Sequence, residues 1–170
     1  MSMKIIGAIL IVAACGGFGF MVAAYHIREE KSLRLLIMLL DYMECELQYK
    51  MTPLPALCRQ AADEGNSQIH KSFSYLAQEL DNQVSPDVCR CMSAALSKAK
   101  ELPKYTHKAM LMLGHSLGRF DLAGQLKGLN FVKEQCGLEL DKLCKNKDVR
   151  LRSYQTLSLC AGAAMAILLI

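Results

Sequence analysis

The middle of this 170-residue chain contains no long apolar run and hardly any alternation of polar and apolar residues. The lack of alternation excludes a protein built mainly from half-buried β-strands. The net charge is also small, +4 at pH 7, and the basic residues concentrate near the two ends of the chain. Because no basic, aromatic-lined face is present, we do not expect this protein to bind nucleic acid.

The sequence contains no recognisable catalytic motif, because none of the four histidines is spaced so as to combine with a nucleophile and an orienting acid. His107 and His115 share a helix face, but no acidic or cysteine ligand lies one turn away, so we expect surface histidines. Glu44 and Glu46 are two residues apart, and a helix turns them to different faces, so they cannot form a close carboxylate pair. We therefore predict no catalytic residue, no enzyme activity and no cofactor.

Eight cysteines are present, but none has the spacing of a structural zinc site or a thioredoxin-like motif. The closest pair, Cys89 and Cys91, is separated by one residue, whereas those motifs place two residues between their cysteines. We therefore predict no metal site. Free cysteine packs as a small hydrophobe, so we expect mostly buried, reduced thiols. Four of them stand among apolar residues at helical positions: Cys45, Cys58, Cys136 and Cys144.

An apolar segment stands at each end of the chain. Residues 5–25 carry no charge over about 20 residues, the length that a helix needs to cross a hydrocarbon core. Residues 157–170 form a shorter segment, which reaches about 17 residues when the three before it are added, at the low end for a span. These segments predict an N-terminal transmembrane anchor over residues 1–27, a helical domain over 28–153 and a C-terminal transmembrane anchor over 154–170.

Three alternatives remain open for these ends. The first segment could be a cleaved signal peptide, although its apolar stretch is long for one and it has no polar cleavage region. Val12-Ala13-Ala14-Cys15 looks like a lipoprotein motif, but the residues after Cys15 stay apolar. The second segment is short enough to be the buried C-terminal helix of a soluble bundle.

Basic residues follow the first apolar segment and precede the second. The positive-inside rule therefore places the middle domain in the cytoplasm and both termini outside. Each basic residue close to the surface contributes roughly 1 kcal/mol of attraction to an anionic membrane, so we predict a basic collar that contacts anionic lipid headgroups. The collar consists of Arg28, Lys31, Arg34, Lys145, Lys147, Arg150 and Arg152.

The residues between the two ends read as amphipathic helices. Residues 32–51 contain no Gly or Pro, and their leucines recur at three- and four-residue steps, which predicts a helix that continues out of the membrane. The last helix is predicted over about residues 122–153. Helix starts follow from N-cap and first-turn proline signals at Thr52-Pro53, Asn66 or Ser67, Ser85-Pro86-Asp87, and Asp121. The expected fold is an all-α antiparallel bundle of about six helices, flanked by N- and C-terminal transmembrane helices.

Four stretches stand in a characteristic order along the chain. The first three are KIIGAILIVA at 4–13, the helix from Leu33 to Tyr49 with its Met43-Glu44-x-Glu46 pattern, and TPLPAL at 52–57. The fourth lies within residues 113–127 and consists of Leu113-Gly114, Leu117-Gly118, Asp121, Gln125 and Lys127. In this order and spacing, and over the whole chain, they resemble the stage III sporulation protein AB family.

The resemblance implies a non-enzymatic platform subunit of the secretion-like channel apparatus between mother cell and forespore, required for endospore formation. It implies a domain similar to the cytoplasmic domains of type II secretion platform proteins, held in the mother-cell membrane. The implied partners are the ATPase and the membrane channel subunits of the apparatus, and a homo-oligomer is compatible with this role.

Partner docking is the role that we predict for six residues: Glu44, Thr52, Pro53, Gly118, Asp121 and Gln125. Capping by Asp121, a turn at Thr52 and Pro53, and a solvated carboxylate at Glu44 are the structural alternatives at these positions. Gly114 and Gly118, four residues apart, could let helices approach closely. The alternative function is a general membrane-anchored helical adaptor or sensor unrelated to sporulation, and partner identity would separate the two.

Overall fold

The computed structural model is all-helical in the part of the chain that it describes. It describes residues 2–82, 87–99, 102–117, 121–145, 156 and 160; in the first helix, Gly17 and the side chains from Met21 onward are described. The helices are α1 (Ser2–Lys50), α2 (Leu54–Asp63), α3 (Gln68–Asp81), α4 (Val88–Lys98), α5 (Lys104–Ser116) and α6 (Leu122–Lys145). The predicted all-α fold of about six helices is confirmed.

The chain divides into two compact units, Lys31–Leu140 and the combined ends Met1–Glu30 and Asp141–Ile170. Within the first unit, helices that follow each other in sequence pack together: α2 on α3, α3 on α4 and α4 on α5. Short connections between such neighbours favour antiparallel helical hairpins.

The membrane anchors remain predictions. In the part of the chain that was described, no helix combines the length and the apolar character that a bilayer crossing requires. Most side chains of the first predicted anchor, and nearly all of residues 154–170, lie outside the described residues.

A stripe along α1 forms the centre of the core. Five of its members are fully or almost fully buried: Leu36, Leu39, Leu40, Met43 and Leu47. These residues follow the three- and four-residue spacing that predicted the helix, and Leu35, which belongs to the same spacing, is half-buried. Burying one Leu or Met side chain stabilises a fold by roughly 1.5–3 kcal/mol, so this stripe fixes the position of α1 in the domain.

Two of the predicted N-caps are confirmed by their hydrogen bonds. Ser67 Oγ accepts from the backbone N–H of His70 at 3.5 Å, ahead of α3. Asp121 Oδ1 accepts from the backbone N–H of Gly124 at 3.0 Å, ahead of α6. Both bonds satisfy amides that have no partner within the helix.

The predicted N-cap of α2 is wrong. The N-cap residue is Pro53, and no side chain caps this helix. The Thr52 hydroxyl instead donates to Glu46 Oε2 at 3.3 Å, back toward α1. As an N-cap, the Thr52 oxygen would accept from a backbone N–H of α2. The hydroxyl instead donates to a carboxylate, a strong acceptor, and this bond orients the side chain toward α1.

The expectation of mostly buried cysteines is correct for Cys58 and Cys136 but wrong for Cys45, which is exposed, and for Cys144, which is half-buried. Cys45 follows the buried Met43 by two residues, a rotation of about 200° that turns it toward solvent. Burial raises the pKa of Cys58 to about 12 and that of Cys136 to about 11. These two thiols therefore stay protonated and unreactive.

Candidate functional site

A polar network ties α1 to α6. Lys133 Nζ lies 2.9 Å from Asp41 Oδ1 and 2.7 Å from Glu44 Oε2. The Asn130 amide donates to the other Glu44 oxygen at 2.8 Å. The hydrogen bond from Lys133 lowers the pKa of Glu44, and the hydrogen bond to Glu44 raises the pKa of Lys133. Glu44, a predicted docking residue, is thus half-buried and holds two helices together.

The same contacts give the relative direction of α1 and α6. Moving forward along α1 from Asp41 to Glu44 corresponds to moving back along α6 from Lys133 to Asn130, so the helices are antiparallel. The last turn of α1 and the first turn of α6 therefore lie at the same end of the domain. We call this region, residues 49–53 and 121–125, the docking end. These two ranges contain four of the predicted docking residues: Thr52, Pro53, Asp121 and Gln125.

The α1–α2 turn at the docking end is stabilised by hydrogen bonds to a buried carboxylate and exposes two large side chains. The buried carboxylate of Glu46 accepts from Lys50 Nζ at 2.7 Å and from the Thr52 hydroxyl. Met51 has φ 51°, a left-handed conformation that is uncommon for a residue with a side chain. The turn leaves Tyr49 81% and Met51 72% exposed.

Sequence reasoning did not select Tyr49 and Met51 as surface candidates. Their exposure could have been predicted, because neither position belongs to the buried stripe of α1, which ends at Leu47. Two large side chains are thus exposed two residues apart in one turn, which makes this turn a candidate interface.

The prediction that Gly114 and Gly118 let helices approach closely can be compared with the structure at Gly114. At Gly114 an added Cβ would lie 2.7 Å from Met92 Cβ, so the glycine allows α5 to approach α4 closely. Gly118 lies outside the described residues. The docking roles of Gly118, Asp121 and Gln125 stay predictions; Asp121 is exposed, and the Gln125 side chain is half-buried.

The predicted basic collar is described in part. Arg28, Lys31 and Arg34 are exposed on α1, three residues apart, a spacing that keeps them on one side of the helix. Lys145 is exposed at the end of α6. The other three members, Lys147, Arg150 and Arg152, lie outside the described residues.

The structure bears on metal and small-ligand sites only in the described part of the chain. No group of three or more His, Cys, Asp or Glu residues is placed there to hold a metal ion. A half-open pocket of about 40 Å³ lies between α1, α5 and α6, with Leu33, Met112 and Cys136 in its wall. Pockets for cofactors measure roughly 300–1,000 Å³, so this one is too small for a nucleotide-sized ligand.

One contact between a cysteine and a histidine was not predicted from the sequence. Cys89 Sγ on α4 lies 3.3 Å from His115 Nε2 on α5. The two residues are 26 positions apart, so no local spacing could indicate their contact. Cys91, which was compared with Cys89 as a metal-ligand pair, is buried, whereas Cys89 is half-exposed.

Comparison with known proteins supplies the family. The family profile described as Stage III sporulation protein AB matches residues 4–170. Stage III sporulation protein AB of Bacillus subtilis (strain 168) is 27% identical over 133 residues, which are 76% of this chain and 77% of that protein. A solved structure of Stage III sporulation protein AB has a TM-score of 0.63 at 21% identity and covers 72% of this chain and 98% of its own. The fold is therefore shared, and the chain belongs to the stage III sporulation protein AB family.

Proposed function

We propose that this protein is a non-enzymatic platform subunit of the secretion-like channel apparatus between mother cell and forespore. The observation that carries the proposal is the family match over nearly the whole chain. The apolar segments at both ends support a location in the mother-cell membrane, and the flanking basic residues support a cytoplasmic helical domain. In this role the protein binds partners and needs no reaction of its own.

The docking end is the surface that best fits the cytoplasmic ATPase of the apparatus. It carries two exposed apolar side chains, Tyr49 and Met51, beside the polar groups of Thr52 and Asp121. Tyr and Met are enriched in protein interfaces, where a few apolar anchors provide most of the binding energy. The membrane channel subunits are the partners that we assign to the anchors.

The first test is recovery of partners. The tagged full-length protein is purified in detergent from sporulating cells, and the proteins that accompany it are identified by mass spectrometry. We expect the ATPase and the membrane channel subunits of the apparatus. Unrelated envelope proteins in their place would favour the adaptor or sensor, and substrate turnover by the purified protein would contradict the non-enzymatic role.

A matched pair of variants locates the ATPase contact. Tyr49→Ser combined with Met51→Gly removes both apolar side chains, and Gly readily adopts the left-handed conformation at position 51. The control is Met38→Ser, a residue of α1 that is 58% exposed and lies away from the docking end. We expect the double variant to lose the ATPase while the channel subunits are retained. Equal recovery with both variants would exclude this surface.

A further inference from the structure

Close packing of α4 on α5 brings a thiol and an imidazole together. Because residue 114 is a glycine, the backbone of α5 comes within reach of Met92 and of Cys89 Cα. One residue further along α5, His115 places Nε2 3.3 Å from Cys89 Sγ, within hydrogen-bond distance for sulfur. Cys89 is half-exposed and His115 is exposed, so a reagent in solution can reach the pair.

The surroundings of the pair favour nucleophilic chemistry over metal binding. Cys89 is the second residue of α4, and its backbone N–H donates to the N-cap carboxylate of Asp87 at 3.2 Å. No third ligand completes a metal site in the described part of the chain. An imidazole within hydrogen-bond distance of a thiol can act as the base that takes its proton. This contact supports a nucleophilic role for Cys89; the helix N-terminus does not, because it carries the Asp87 carboxylate.

The other described cysteines provide contrasts. Cys58, Cys91 and Cys136 are buried, and a buried thiol is neither accessible nor readily ionised. Cys144 is half-buried, and Cys45 and Cys160 are exposed. Cys45, on α1, is the reference for a thiol that solvent reaches.

We propose that Cys89, activated by His115, is the preferred site at which this protein reacts with low-molecular-weight disulfides. His115 Nε2 accepts the thiol proton, and Cys89 Sγ attacks one sulfur of the disulfide. A new S–S bond forms while the original S–S bond breaks, and the departing thiolate takes the proton from the imidazolium. The products are a mixed disulfide at Cys89 and one free thiol, so the incoming disulfide is the only oxidant.

The test uses full-length protein in detergent and the aromatic disulfide 5,5′-dithiobis(2-nitrobenzoate). Peptide mapping after timed quenching gives a separate rate for each cysteine. A hydrogen bond to a charged group is worth roughly 1.5 kcal/mol, which corresponds to about a tenfold change in rate. We therefore expect His115→Asn to slow the reaction at Cys89 about tenfold.

His107→Asn is the matched control, because His107 stands on the same helix. It should leave the Cys89 rate unchanged, and the Cys45 rate should be the same in all three proteins. An unchanged or faster reaction at Cys89 in His115→Asn would overturn the proposal. So would an equal loss at Cys89 and Cys45, because that would indicate a general change of the fold.

Discussion

At the scale of single residues, His70 occupies the position that Glu or Gln usually takes in a capping box. The Ser67 backbone N–H donates to His70 Nδ1 at 3.2 Å, and the ring packs against Gly65. His70 Nε2 is buried and has no hydrogen-bond partner among the described residues. Burial of this ring lowers the pKa of His70, because a buried imidazolium would lose its hydration.

The lowered pKa of His70 predicts loss of stability in mild acid. The unfolded chain binds a proton at the ordinary histidine pKa of 6.5, and the folded chain binds it only at lower pH. The contribution of His70 to the free energy of unfolding is therefore fully present above about pH 6.5 and is lost as the pH falls through the folded-state pKa. Urea unfolding at a series of pH values would measure this slope.

His70→Gln keeps a capping acceptor but removes the titration, so the slope should become smaller near pH 6. Gln78→Ala, at an exposed position of the same helix, is the control and should keep the wild-type slope. An identical slope in wild type and His70→Gln would show that another group causes the pH dependence.

At the scale of helices, two glycines of the domain differ in what surrounds them. Gly114 lies against Met92, and its added Cβ would come to 2.7 Å from a side-chain atom near the α4 backbone. Gly137 on α6 has no atom within 4 Å of the same position. Gly114 permits close packing of α5 on α4, whereas Gly137 only lowers the stability of α6.

Alanine at these glycines should have opposite effects. Gly114→Ala should lower the free energy of unfolding by about 1–3 kcal/mol, because α4 and α5 must move apart. Gly137→Ala should raise it by up to about 1 kcal/mol, since alanine favours the helix. Thermal or urea unfolding gives both values, and a stabilising Gly114→Ala would contradict the close-packing argument.

The α1–α6 network should show measurable coupling between its members. Glu44 and Lys133 are 24% and 30% exposed, so solvent screens their interaction only in part. A double-mutant cycle with Glu44→Gln and Lys133→Met should give a coupling energy of about 1 kcal/mol.

Arg59 and Asp81 form the comparison pair, because both side chains are largely exposed. Their cycle, with Arg59→Met and Asp81→Asn, should give less than about 0.5 kcal/mol. Equal coupling energies for the two pairs would show that α6 does not hold α1 through Lys133.

At the scale of the whole molecule, the basic collar is expected to determine orientation in the membrane. Replacing Lys145, Lys147, Arg150 and Arg152 by Glu removes roughly 1 kcal/mol of attraction per residue and reverses the local charge. We expect a measurable fraction of the protein to expose its helical domain on the outer face. Labelling of intact cells with a membrane-impermeant reagent would detect it.

The control for the collar carries the same change of charge elsewhere. Glu replaces four exposed basic residues of the helical domain: Lys71, Arg90, Lys108 and Lys127. This variant should keep the wild-type orientation. If the collar variant also keeps it, the collar does not determine topology.

Features that depend on near neighbours along the chain could be predicted from the amino-acid sequence. The helical stripe of α1 and the caps at Ser67 and Asp121 follow from contacts within a few residues. The order of its motifs also pointed to the family that the whole-chain match establishes. The prediction that Thr52 caps α2 was wrong, because the Thr52 hydroxyl is hydrogen-bonded to Glu46 in the preceding helix.

Contacts between residues that are distant along the chain follow from the packing of the helices and could not be predicted from local patterns. Lys133 reaches Glu44 across 89 positions, and His115 reaches Cys89 across 26. The exposure of Cys45 and the apolar surface of Tyr49 and Met51 likewise depend on which face of each helix the others cover. Helical periodicity defines the faces of one helix, but the packing of several helices selects which of those faces are buried.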